Sequence, residues 1–229
     1  MLVELLVPVK SLARAKTRLR RAADGGIGST QAHLMLALAL ARDTIAAAAG
    51  AAMVHRVVAI CSDAMVREAL VRDGVEVIED EPAAGLNPAL RYGEAVLRAT
   101  NPAAAIGALQ ADLPALRPAE LDCAVRDGLA TGSRAFCTDR AGIGTTLLLA
   151  APQLRLDPQF GPESAAAHRA RGARELSGCW PGLRCDVDTV ADLAVATDLG
   201  VGPFTRSALP DFFLPVIRTS ARCTEQWTR

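Results

Sequence analysis

Three aspartates stand out by their neighbours. Asp112 closes an apolar run in LQADLP (109–114), and Asp186 and Asp188 lie two positions apart in CDVDT (185–189). If Leu183 to Val187 is a strand, its period of two puts both carboxylates on one face, where they repel unless a cation sits between them. Three hard oxygen donors without histidine partners suit Mg²⁺ or Mn²⁺ far better than zinc. A plainer reading competes for two of them: Asp112 and Asp188 each precede an expected helix start, where aspartate is a common N-cap. For all three at strand ends together the metal reading is favoured, because paired buried acids rarely lack a partner.

Opposite charge gathers near the other end of the chain. Lys10, Arg14, Lys16 and Arg18 fall within nine residues, directly after the apolar run LVELLVPV (2–9). A cationic loop at the carboxyl end of a strand can grip phosphates, although a solvated basic turn has the same composition. The stretch contains no GxxxxGK[ST], so it is not a P-loop. Acids with a divalent cation on one side and basic side chains on the other suit phosphoryl or nucleotidyl transfer.

Such residues need a scaffold that brings distant segments to one edge. LVELLVPV, VHRVVAIC (54–61), GVEVIED (74–80), AAIGALQ (104–110), SRAFCTD (133–139), TTLLLAA (145–151) and the stretch around Asp186 read as strands. Between them lie helical segments: a long alanine- and leucine-rich one capped by Ser29 or Thr30, then 64–73, 88–100, 117–130, a segment opening at Pro162, and one after Asp188. The alternation predicts an α/β fold, a three-layer α/β/α arrangement around a doubly wound, mostly parallel sheet. Ligands in such sheets bind outside the carboxyl ends of the strands. Lys10, Ser62, Asp63, Asn87, Asp112 and Asp188 all fall there.

Composition narrows the function classes. The 229 residues fit one large α/β domain, and 25 basic against 25 acidic side chains leave no global field to attract nucleic acid. Six cysteines without CxxC or zinc spacing fit a reduced, cytoplasmic setting. MLVELLVPVKSL carries an acid inside a short apolar run and reads as a first strand, not a signal peptide. No run of uninterrupted apolar residues reaches the roughly 20 of a membrane span. His33, His55 and His168 fall in expected helices or strands, away from the strand-end cluster. The tail after Gly200 breaks the alternation and carries FFLPVI, expected to pack on the domain as an arm, to make a homodimer contact or to be partly disordered.

Six segments in order carry a family resemblance: VPVKSLARAKTRL (7–19), LNPAL (86–90), LQADLPAL (109–116), GIGTTLL (142–148), FGPESAAAHRARGA (160–173) and WPGLRCDVDTVADL (180–193). Together they resemble the guanylyltransferases of deazaflavin coenzyme F-420 biosynthesis. The resemblance spans about residues 2 to 203, a guanylyltransferase domain of 1–203 with a tail of 204–229, and it implies a Rossmann-like nucleotidyltransferase fold. In that family a phosphorylated three-carbon acid attacks the α-phosphorus of GTP, giving a guanosine diphospho-adduct and pyrophosphate. Members use phosphoenolpyruvate, 2-phospho-L-lactate or 3-phospho-D-glycerate. High alanine and arginine suggest a GC-rich genome and, through the family, phosphoenolpyruvate.

The resemblance also implies roles. Asp112, Asp186 and Asp188 hold two Mg²⁺ ions, Lys10, Lys16, Ser62 and Asn87 contact GTP, and Thr145, Gly161 and Ser164 receive the carboxylate of the acceptor. Related sugar-nucleotide transferases have a glycine-rich first loop, whereas SLARAKTRL has no glycine, so triphosphate binding leans on side chains, Lys16 above all. In FGPES, Pro162 at a helix start would leave backbone N–H groups for an anion. A phosphate monoester has a second pKa near ~6, so the nucleophile is already anionic and needs no catalytic base. A different class is also compatible with the DVD triplet, a DxD-type nucleotide-sugar glycosyltransferase, distinguished by releasing GDP in place of pyrophosphate.

Overall fold

The structure, a computed structural model, describes residues 1–9, 19, 27, 29–79 and 85–210. The chain runs β1 (Val3–Pro8), α1 (Thr30–Ala49), β2 (Val54–Ile60), α2 (Ala64–Arg72), β3 (Glu76–Ile78), α3 (Leu86–Thr100), β4 (Ala105–Leu109) and α4 (Pro118–Leu129). It continues through β5 (Arg134–Thr138), β6 (Thr145–Ala150), α5 (Ser164–Ala170), β7 (Arg174–Glu175), α6 (Pro181–Arg184), α7 (Val190–Leu199) and α8 (Pro203–Ala208). The described strands form one seven-stranded sheet in the order β3-β2-β1-β4-β6-β5-β7. All neighbours run parallel except β6, which is antiparallel to both β4 and β5.

Alternation along the strands builds the two apolar faces. Leu5 and Val7 of β1, Ala59 of β2 and Leu147 and Leu149 of β6 pack with α1, α2 and α4. Leu6, Val58, Ile60 and Leu148 face the other way, toward α3 and α5. Both faces are covered, which explains why the strands read as near-continuous apolar runs. At about 1.5–3 kcal/mol for each fully buried Leu, Ile or Val, the two faces are the main source of stability. The one acid inside β1, Glu4, is buried and satisfied: Arg56, its neighbour in register on β2, donates from Nε at 3.0 Å and Asn101 at 3.1 Å.

A third cluster lies beyond the sheet edge. Leu36 and Leu40 of α1 meet Ala115, Cys185, Val187, Leu193 and Ala196, with Val201 and Leu209 closing it. α8 is fastened to α1 through the buried Asp43, which accepts from Phe204 N–H at 3.0 Å and Thr205 N–H at 2.7 Å. Packed chain therefore continues at least to Leu209; residues 211–229, with FFLPVI, lie outside the described part.

Several boundaries differ from the sequence reading for local reasons. α3 begins at Leu86, two residues early, because Gly85 at φ 112° turns the chain and Pro88 is tolerated in a first turn. α5 begins at Ser164, not Pro162, because Glu163 sits in the left-handed region at φ 54°. The strand expected over Leu183–Val187 is absent. Pro181–Arg184 instead make one helical turn, and Cys185 to Val187 join no ladder. Over its 20 residues α1 also meets the length and apolarity of a membrane span, contrary to the reading from uninterrupted runs. Of its apolar window 61% is buried inside the domain, as expected of a core helix.

Candidate active site

The strand order changes direction between β1 and β4, the switch point where open α/β sheets bind ligands. Asp112 follows β4 at this place. The residues after β1, with Lys10, Arg14, Lys16 and Arg18, lie outside the described residues. Because β6 is antiparallel to β4, with Leu109 opposite Leu147, the first residue of β6, Thr145, comes to the same edge. The exposed Ser62 stands beyond the end of β2, where Asp63 caps α2 by accepting from Met65 N–H at 3.1 Å.

Asp112 is held by tertiary contacts. The buried Thr44 hydroxyl on α1 accepts from Leu113 N–H at 2.9 Å and reaches the carbonyl oxygens of Leu40 at 2.8 Å and Ala111 at 3.2 Å. Val187 N–H donates to the Asp112 carbonyl at 3.0 Å, tying the DVD segment beside it. Cys185 and Val187 insert into the third cluster, so Asp186 and Asp188 alternate outward, the former half-buried and the latter exposed. The period-two argument for the pair assumed a strand that does not form. Neither Asp112 nor Asp188 is a helix cap: α4 is preceded by Arg117, and α7 is capped by Thr189 in a capping box with Asp192.

α6 is held against the Asp112 segment by residues the sequence reading missed. The Glu120 carboxylate on α4 accepts from Gly182 N–H at 3.3 Å and Leu183 N–H at 3.0 Å. Gly182 lies so close to the Ala115 carbonyl oxygen that a β-carbon there would fall well inside contact distance. Arg140, from the β5–β6 turn, donates to Asp192 at 2.7 Å and joins that turn to α7. Burial pushes the Cys185 thiol up to about 11; Arg140 opposes the rise, and Asp186, Asp192 and Asp112 add to it.

This donor set fits a hard divalent cation, with carboxylate oxygens on two adjoining segments and an excess of negative charge. Among the described residues no three His, Cys, Asp or Glu side chains stand close enough to enclose an ion by themselves.

The second group is built of hydroxyls and a histidine. Thr145, Ser164 and His168 are all buried. The Ser164 hydroxyl donates to Thr145 Oγ1 at 3.2 Å, and Thr145 Oγ1 lies 2.9 Å from His168 Nδ1. Gln159 N–H donates to His168 Nε2 at 3.0 Å. Burial holds His168 down to about 4, Asp157 opposing and Arg134 adding to the shift, so the ring is neutral at pH 7. His168, expected to lie away from the strand-end cluster, is thus in contact with Thr145, a residue expected at the acceptor.

Gly161 is exposed at φ 144°, a conformation that favours glycine, in the loop beside this cluster. The loop is fastened at both ends. Glu94 on α3 accepts from Leu156 N–H at 3.0 Å, and the Asn87 amide accepts from Phe160 N–H at 2.8 Å and donates to Phe160 O at 2.9 Å. Asn87, expected at the nucleotide, thus has its amide on the backbone next to Gly161. At the start of α5, where an anion cradle is expected, two N–H groups are already engaged. Ser164 N–H donates to Gly161 O at 3.2 Å and Ala165 N–H to Ile143 O at 3.0 Å.

Comparison with known proteins places this geometry in a family. No family model matches the chain. A phosphoenolpyruvate guanylyltransferase of Streptomyces avermitilis is 48% identical over 212 residues, covering 92% of this chain and 95% of the relative. One of Mycobacterium ulcerans is 43% identical over 210 residues, covering 89% and 91%. The chain belongs to the phosphoenolpyruvate guanylyltransferase family. It is accordingly an enzyme of the nucleotidyltransferase class, and the glycosyltransferase reading of the DxD triplet gives way. Solved structures agree on the fold. A Desulfovibrio desulfuricans protein described as a nucleotide-diphospho-sugar transferase superposes with a TM-score of 0.63 at 17% identity, covering 85% of this chain and 86% of that one. A nucleotidyl transferase from Methanothermobacter gives 0.54 at 19% identity, covering 86% and 97%.

Proposed function

We propose that this enzyme transfers GMP from GTP to phosphoenolpyruvate with Mg²⁺, releasing pyrophosphate, as a cytoplasmic step of coenzyme F-420 biosynthesis. The observation that carries the reading is the Val187–Asp112 backbone bond, which joins two acid-bearing segments at the switch point of the sheet, on the same edge as the Thr145–Ser164 pair. The names of the relatives supply the acceptor, and the sequence resemblance supplies GTP and the pathway.

In this reading a phosphate oxygen of the acceptor forms a bond to the α-phosphorus, and the bond from that phosphorus to the β-phosphate bridging oxygen breaks. Asp112, Asp186 and Asp188 would hold Mg²⁺, which would supply positive charge against the repulsion between the two polyanions. Lys10 and Lys16 would contact the triphosphate, Ser62 the nucleotide, and Thr145 and Gly161 the acceptor carboxylate, with Ser164, expected there too, supporting Thr145 through the hydroxyl bond to its Oγ1. Because the nucleophile is already an anion, no side chain need remove a proton, which agrees with a neutral, fully engaged His168. Holding donor and acceptor in line contributes on the order of 7–11 kcal/mol at best. The test is to incubate the protein with GTP and Mg²⁺ and, separately, phosphoenolpyruvate, 2-phospho-L-lactate or 3-phospho-D-glycerate, and to measure pyrophosphate. Release with phosphoenolpyruvate is the expected outcome; release only with another acid would reassign the acceptor, and release with none would defeat the proposal.

A further inference from the structure

We infer that His168 is a positioning residue that fixes the direction of the Thr145 hydroxyl proton, turning Thr145 into a dedicated donor to an anionic group of the acceptor. The inference rests on the guanylyltransferase reading for the identity of that anion, but its hydrogen-bond logic is independent of it.

The chain of polarity starts at a group with no choice. Gln159 N–H is a backbone donor and meets His168 Nε2 at 3.0 Å, so Nε2 must carry the lone pair. In a neutral imidazole the proton is then on Nδ1, which donates to Thr145 Oγ1 at 2.9 Å. The same oxygen accepts from the Ser164 hydroxyl at 3.2 Å. With both lone pairs of Oγ1 engaged, the remaining Thr145 valence is its own O–H, which can act only as a donor. Packing keeps the ring in place: Phe160 meets it edge-on with centroids 5.1 Å apart, and Phe136 lies tilted at 5.8 Å. Phe160 is itself the residue clamped by Asn87, so the α3 clamp, the Gly161 loop and the Thr145 hydroxyl form one connected unit. A hydroxyl of fixed polarity recognises a carboxylate and repels a hydrogen-bond donor, which is a selectivity device.

Two substitutions separate the two ring nitrogens. His168→Gln can still accept from Gln159 N–H but has lost the donor to Thr145, whereas His168→Asn keeps a donor near the Nδ1 position and loses the acceptor. With pyrophosphate release as readout, His168→Gln should raise the acceptor KM by about tenfold and leave the GTP KM near that of the parent. His168→Asn should raise it less, and Thr145→Val should add nothing in the His168→Gln background. Nitrogen NMR of the parent protein should find the Nδ1–H tautomer of His168 at pH 7. An Nε2–H tautomer, a parallel rise of both KM values in the Gln variant, or full additivity with Thr145→Val would overturn the inference. If the parent releases no pyrophosphate, the guanylyltransferase reading falls and the NMR result alone decides the tautomer.

Discussion

The Thr44 hydroxyl is fully buried on α1 and holds the backbone on both sides of Asp112. Thr44→Val keeps the shape and removes that contact, leaving Leu113 N–H buried without its acceptor. The expected cost is about 1–3 kcal/mol in chemical denaturation, with loss of turnover because the Asp112 segment loosens. Asp188→Asn acts on chemistry rather than on folding. Asp188 is exposed and does not cap α7, so the variant should keep the parent melting temperature while Mg²⁺-dependent pyrophosphate release disappears; near-normal turnover would remove Asp188 from the metal assignment. His168 gives a prediction in pH. Its folded value, about 4, lies below the ordinary 6.5, so the unfolded chain takes up the proton first. Its contribution is complete above about pH 6.5 and is lost as pH falls toward 4, a loss on the order of 3 kcal/mol. Denaturation of the parent and of His168→Gln across that range should give converging stabilities at the acid end.

At the scale of elements, one-turn α6 deserves the closest test because it replaces an expected strand. Its first N–H groups are satisfied by Glu120 from α4, and its glycine lets it approach the Ala115 carbonyl. Gly182→Ala forces a β-carbon into backbone that cannot swing aside, so α6 must move away from the Asp112 segment. The expected result is a melting temperature several degrees lower, as for roughly 1–3 kcal/mol in a domain this size, together with weaker Mg²⁺ dependence of activity. An unchanged melting temperature would contradict the close packing. The loop from Leu156 to Ser164 is the other element of interest. Asp157 and Glu163 both have left-handed backbones, at φ 50° and 54°, each costing on the order of 1–3 kcal/mol. The Glu94 and Asn87 clamps offset that strain and hold Gly161 beside the hydroxyl pair.

Across the whole molecule, the third apolar cluster links α1, the DVD segment, α7 and α8 into one support beyond the sheet. Asp43 anchors α8 to it through two N–H bonds, and the Arg42 guanidinium lies 3.8 Å from the centroid of the Phe204 ring. Asp43→Ala should therefore destabilise the protein by about 1–3 kcal/mol and raise amide hydrogen exchange in α8. Protection unchanged from the parent would show that α8 is held by other contacts.

What the sequence determined by itself was whatever depends on periodicity and local chemistry. Near-continuous apolar runs announced strands buried on both faces, Ser29 and Pro118 marked helix starts, and the acids of LQADLP and CDVDT stood out as metal ligands or helix caps, an alternative the sequence left open. The period of two read for Asp186 and Asp188 assumed a strand that does not form, although Cys185 and Val187 are buried and the two acids are not. Tertiary structure alone decided how the pieces meet. The antiparallel insertion of β6 brings Thr145 to the edge that holds Asp112, and no local pattern encodes which strand will pair with which. Only contacts between residues far apart in the chain turn Pro181–Arg184 into a helical turn and make His168, an ordinary helical histidine in the sequence, the ring that orients Thr145. Those bonds join Glu120 to Leu183 and Thr145 to His168, whose spacing exceeds the reach of any local period.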